Sequence, residues 1–156
     1  MKKPVLLAVC LVFAILTASA QPPSPLFGTW KLNLARSVYD PGPPPYKRST
    51  CRIEPAQDGL KVIYDMIGVR GGVTHIEWAG KFDGRDYPIE GVDYVLTNAY
   101  TRVDDRTYDV VVKVDGSKAA TAGISISPDG RTLTTVTTAR NAQGRNTNTT
   151  TVYDRQ

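Results

Sequence analysis

From residue 50 onward the chain is cut into short segments by turn residues, at a spacing of roughly 8–14 residues. Asp58-Gly59, Asp83-Gly84, Asp115-Gly116 and Asp129-Gly130 are among the breaks, and each is a tight-turn dipeptide. Between the breaks, polar and apolar residues alternate with period two. In residues 60–66, Lys61 and Asp65 take one face, and Leu60, Val62, Tyr64 and Met66 the other. In residues 74–82, His75, Glu77 and Lys81 face water, and Ile76, Trp78 and Phe82 face inward. Strands are predicted at the Gly28-Thr29-Trp30 stretch and at residues 50–54, 60–66, 74–82, 94–103, 108–114, 119–127, 132–138 and 146–153. A short edge-like piece broken by Pro88 is predicted at residues 85–90.

That makes about nine or ten strands and no major helix. No strand–helix alternation is present, which excludes a doubly wound sheet. The segments are not copies of one unit, which excludes a propeller or solenoid. Turns of two to five residues favour pairing between sequence neighbours. The predicted fold is all-β, an antiparallel up-and-down β-barrel, whose closure removes the exposed sheet edges that invite aggregation.

The first twenty residues follow a different pattern. Lys2 and Lys3 precede an apolar run over residues 5–16, and Ala18-Ser19-Ala20 forms a small-x-small cleavage site. A run of about 12 residues is shorter than the roughly 20 that a spanning helix needs. The pattern predicts a secretory signal peptide over residues 1–20, a single β-barrel domain over residues 21–156, and a periplasmic or secreted protein. Loss of Lys2 and Lys3 lowers the formal charge from +4 to +2. The remaining basic residues are interleaved with Asp in no continuous stripe, so no nucleic-acid partner is expected. Cys51 is then the one cysteine left, and no intramolecular disulfide can form. Its neighbour Ile53 shares its face, so burial of the thiol is expected. Residues 35–49 contain Pro41-Gly42-Pro43-Pro44-Pro45 and read as a long irregular connection lying across one mouth of the barrel. A monomer is expected.

Phe27-Gly28-Thr29-Trp30-Lys31-Leu32, followed by Ser37 and Tyr39-Asp40, resembles the opening of the fatty-acid-binding-protein and lipocalin group, the calycins. Thr150-Thr151-Val152-Tyr153-Asp154-Arg155 resembles the last strand of the fatty-acid-binding branch. The chain as a whole is similar to small secreted bacterial proteins of unknown function. The resemblance implies a calycin barrel that holds a small ligand inside. It also implies a late Arg stacked on the first-strand Trp, a role open to Arg155 or Arg140 over Trp30. The chain departs from the fatty-acid-binding branch at two places. Prolines 41–45 stand where that branch has a helix pair. Tyr153 matches the Tyr of its carboxylate clamp, but Thr151 occupies the position of the clamp's Arg.

Chemistry beyond binding finds little support. His75 is the one histidine, and it shares a face with Glu77 and Lys81 that reads as solvent. No His/Cys set suits a metal and no phosphate-cradling loop is present, so no catalytic residue, metal or cofactor is nominated. Parity instead points Tyr64, Met66, Trp78 and Tyr108 inward, with Val110, Val112, Ile124 and Ile126. Tyr100 and Arg102 share a face, and Tyr153 ends the last strand. The candidate ligand-binding residues are Tyr64, Met66, Trp78, Tyr100, Arg102, Tyr108 and Tyr153, a set suited to a small hydrophobic or amphipathic molecule. The same residues would equally fill a solid barrel. The threonines of residues 132–138 and 147–151 fit either a wet cavity or plain β-propensity. Three functions follow: a non-catalytic binder, a filled interaction or inhibitor module, and a calycin-type isomerase or cyclase.

Overall fold

Ten strands close into a ring. In chain order the strands are β1 (Gly28–Leu32), β2 (Val38–Asp40), β3 (Tyr46–Ala56), β4 (Gly59–Gly68), β5 (Val73–Gly80) and β6 (Tyr87–Glu90). They continue as β7 (Leu96–Arg102), β8 (Thr107–Val114), β9 (Ser117–Ile126), β10 (Thr132–Arg140) and β11 (Asn146–Arg155). From β3 to β11 each pairs antiparallel with the next, and β1 joins β3 to β11. The computed structural model describes residues 24–141 and 143–156. The expected signal segment, residues 1–20, lies outside the described residues. Among the described residues no helix is long and apolar enough to cross a membrane.

The eleventh strand, β2, extends the edge begun by β1. Residues Tyr153–Arg155 of β11 pair with β1, and Asn148–Thr150 pair with β2. A 3₁₀ turn, Leu34–Arg36, separates the two pieces. Asn33 caps it by accepting from Arg36 N at 3.2 Å. Ser37 Oγ donates to Asn33 O at 2.8 Å and accepts from Val152 N at 3.0 Å, which ties the turn to β11. The expected irregular connection over residues 35–49 is therefore corrected. Only Ser37 and residues 41–45 lack regular structure, because β11 extends beyond Leu32 and its free backbone groups are taken by Val38–Asp40.

The Asp115-Gly116 hairpin behaves as its residues require. Asp115 and Gly116 adopt φ of 46° and 77°, the left-handed pair of a primed turn, and β8 and β9 pair across them. The weakest seam is at β6, which holds two register pairs to each neighbour; Pro88 has no N–H to donate.

The two ends of the barrel differ. One end carries residues 24–27, the C-terminus and the β3–β4, β5–β6, β7–β8 and β9–β10 turns. There Leu26, Trp30, Leu60 and Tyr108 are fully buried, packed with Ile53, Val62, Val110, Ile126 and Leu133. Arg155 seals this end. Its guanidinium lies over the Trp30 ring, 4.2 Å from the centroid. It donates to Gly130 O at 2.6 Å, to Phe27 O at 2.8 Å and to Pro25 O. Trp30 Nε1 donates to Leu26 O at 3.0 Å. Gly28 has φ +145°, and a Cβ there would strike Arg155 Nη1. The Gly-x-Trp pattern thus has a physical reason: the glycine clears a path for the guanidinium and the tryptophan receives it. Arg140 ends β10 at the opposite rim and takes no part.

Candidate ligand cavity

The opposite half of the barrel is open. Its wall on one side is built by β10 and β11. Register places Thr135 opposite Thr151, Thr137 opposite Thr149 and Ala139 opposite Thr147, all on the face that also carries the buried Leu133 and Tyr153. The same wall continues through β1, β2 and the residues after β2, with Leu32 opposite Tyr153, Tyr39 opposite Thr149, then Pro41, Pro43 and Pro45, and Tyr46 at the start of β3. Ser49, Met66 and Tyr153 form the base. Together with Thr137, Thr147, Thr149 and Thr151 these residues enclose a cavity of about 450 Å³ that opens at the rim.

Beneath the base lies a layer of phenols around one thiol. Tyr153 Oη is 3.4 Å from the buried Ser49 Oγ. Cys51 is buried and lies opposite Tyr64 across the β3–β4 pair. Burial pushes its thiol up to about 12, so it stays protonated and is no nucleophile at neutral pH. Burial also raises the phenol of Tyr64, with added repulsion from Cys51, Tyr153 and Tyr100, and burial raises Tyr100 and Tyr153 in turn. The layer therefore carries no charge. Tyr100 stacks on Trp78 at 4.4 Å, and Trp78 meets Tyr87 edge-on at 6.0 Å while donating Nε1 to Tyr87 O at 3.1 Å.

The seven residues singled out from the sequence fall at three heights. Met66 and Tyr153 line the cavity. Tyr64, Trp78 and Tyr100 form the layer below it. Tyr108 belongs to the closed end, where its Oη lies 2.9 Å from Ser24 Oγ and 5.3 Å separates its ring from Phe82. Arg102 is corrected outright. It shares the inward register but is exposed at the closed-end rim, donating to Asp104 O at 3.2 Å and pairing with Asp105 in its own turn. A charged side chain at a strand end finds water and turn oxygens more cheaply than an apolar interior. Ser49, Tyr39, Tyr46 and the prolines fall in residues 35–49, which the sequence places across one mouth of the barrel without naming any of them as a binding residue. Parity with Cys51 would have found Ser49, had β3 been extended back through it.

Asn98 faces inward on β7, and its Oδ1 is buried without a hydrogen-bond partner. His75 lies on the outer face. Its Nδ1 is 2.6 Å from Asp65 Oδ1 and its Nε2 3.3 Å from Oε1 of Glu77, whose Oε2 pairs with Lys61. The Asp65 hydrogen bond, then the Glu77 one, raises the imidazole above its usual value. Among the described residues no group of three or more His, Cys, Asp and Glu is placed to hold a metal ion.

The sequence matches no family model and no curated protein. Among solved structures it is similar to the zebrafish ileal bile acid-binding protein complexed with cholic acid. The TM-score is 0.51 at 12% identity, covering 85% of this chain and 100% of that one. With identity this low the likeness is one of architecture, and it agrees with the ring of ten antiparallel strands: the fold is that of a calycin barrel.

Proposed function

We propose that this protein is an exported binder of a small amphipathic molecule, held in the open half of the barrel and released unchanged. The observation that carries this reading is the cavity of about 450 Å³ lined by threonine and serine hydroxyls together with leucine, methionine and proline hydrocarbon. Small-molecule sites have volumes of roughly 300–1,000 Å³. The layer under the cavity holds neutral phenols and a protonated thiol, an arrangement that supports binding rather than turnover. The structural neighbour with this architecture is complexed with cholic acid, a molecule of suitable size. Export rests on the residues 1–20 pattern and predicts a mature N-terminus at Gln21, readable by intact-mass measurement of the protein recovered from its compartment.

The test is titration with an environment-sensitive apolar dye. Saturable one-to-one binding, lost in Thr149→Trp while the fold remains, is the expected result. Absence of saturable binding would sink the reading. The interaction module is the second reading, and one observation favours it: Val69, Tyr94 and Val95 in the open-end loops and Val73 at the start of β5 stand exposed. It predicts a partner whose capture is lost in Val73→Ser with Val95→Ser, and no dye binding at all.

A further inference from the structure

We infer that the cavity selects an uncharged, rigid ligand that carries both hydroxyl groups and a hydrocarbon skeleton. This rests on the ligand-binding reading above and adds the ligand's chemical class.

Among the described residues the lining contains no Asp, Glu, Lys, Arg or His. Charged residues flank it in the chain, but Asp40, Lys47 and Arg48 are all exposed and none lines it. A carboxylate or ammonium drawn into this space would leave water without gaining a counter-charge, which disfavours it strongly. Burial raises the phenols of Tyr39 and Tyr153, so neither supplies an anion at neutral pH.

Two parts of the lining make different demands. Thr137 and Thr149 are directly opposed across β10 and β11, with Thr147 and Thr151 two residues to either side of Thr149. Opposed residues stand about 5 Å apart and same-face neighbours on a strand about 7 Å apart, so these side chains make a fixed grid of hydroxyls. Each hydroxyl both donates and accepts, and so pairs with a ligand hydroxyl in either sense. Beside this grid, on β1 and after β2, the lining offers Leu32, Pro41, Pro43 and Pro45, and the base adds Met66. Proline has no N–H, so this part of the lining makes few polar contacts and suits hydrocarbon. A grid fixed by strand geometry matches a fused-ring skeleton better than a flexible chain, because less ligand freedom is lost on binding.

Three probes that share one steroid skeleton separate these demands in dye displacement. Methyl cholate is neutral and carries hydroxyls on one face. Cholate adds a charge, and methyl cholanate lacks the hydroxyls. Methyl cholate is expected to displace the dye at about tenfold lower concentration than either of the others, the effect of roughly one buried hydrogen bond. Thr137→Val with Thr149→Val keeps shape and strand propensity and removes two hydroxyls of the grid. The double variant's preference for methyl cholate over methyl cholanate should shrink to within about threefold. Cholate binding as tightly as its methyl ester would overturn neutral selection. Equal binding of the two esters, or an unchanged preference in the double variant, would overturn the hydroxyl grid. In each of those outcomes the dye still binds and the broader reading stands; a failure of the dye itself overturns both.

Discussion

Replacing Arg155 by Met tests whether the closed end is sealed by one side chain. The guanidinium makes three hydrogen bonds to backbone carbonyls, at Gly130, Phe27 and Pro25, and stacks on Trp30. Hydrogen bonds from a charged donor contribute about 1.5–3 kcal/mol each, and the cation–π contact about 0.5–2 kcal/mol. Arg155 is only half-buried, so water replaces part of what is lost, and the freed carbonyls are partly rehydrated. The expected destabilisation of Arg155→Met is therefore about 3–4 kcal/mol, below the sum of the parts. Arg155→Lys keeps the charge but loses the planar fork, and is expected to lose about half as much. Equilibrium urea unfolding measures both; with m near 1–3 kcal/mol/M, the Met variant's midpoint falls by at least about 1 M. A loss under about 1 kcal/mol with unchanged m would refute the reasoning. The end would then be held by main-chain bonds alone, such as Gln156 N to Thr29 O and Arg155 N to Arg131 O, both 2.9 Å.

Gly28→Ala should destabilise by about 1–3 kcal/mol through its φ and the collision with Arg155. Paired with Arg155→Ala, the two losses should sum to less than their separate values in the same urea experiment. Cys51 should resist a maleimide for hours in the native state at pH 8 and react at once in denaturant, as expected of a buried thiol raised to about 12; alkylation at a free-thiol rate would contradict its placement. His75 should titrate above the usual imidazole value by NMR, and Asp65→Asn should lower it. Because the folded-state value is raised, protonated His75 stabilises the fold. That contribution is full below about pH 6.5 and fades as pH climbs through the raised value. The stability difference between wild type and His75→Asn should decline over that window.

Period-two alternation made the ring of strands legible, because each segment between Asp-Gly breaks has to hide one face. It did not reveal height along the barrel. Tyr108 and Tyr153 share an inward parity, yet Tyr108 lies in the closed end and Tyr153 at the cavity base. Arg102 shares that parity too and sits outside. Parity is a local property of one strand, whereas height depends on the shear between strands, set by register pairs far apart in the chain. The proline stretch misled for a related reason. Its neighbours Val38–Asp40 are too short to read as a strand alone, and they are one because β11 passes beside them.

The threonines of β10 and β11 supported two readings, strand propensity or a wet wall, and their stability separates these. Valine has the β-propensity of threonine without its hydroxyl. If Thr147 and Thr149 pack in a dry interior, exchange for Val removes a buried hydroxyl and stabilises the fold by more than about 1 kcal/mol. On the wall of an open cavity the hydroxyl is hydrated in the folded chain as in the unfolded one, and the exchange stays within about ±0.5 kcal/mol. Their half-buried state and their place in the cavity lining lead us to expect the second result. Leu133→Ala on the same strand β10 is the control, since its closed-end site is dry and should lose about 2–5 kcal/mol. A stabilising valine at Thr149, beside a normal loss at Leu133, would mean that the open half is packed in solution, and the hydroxyl grid would have no ligand to meet.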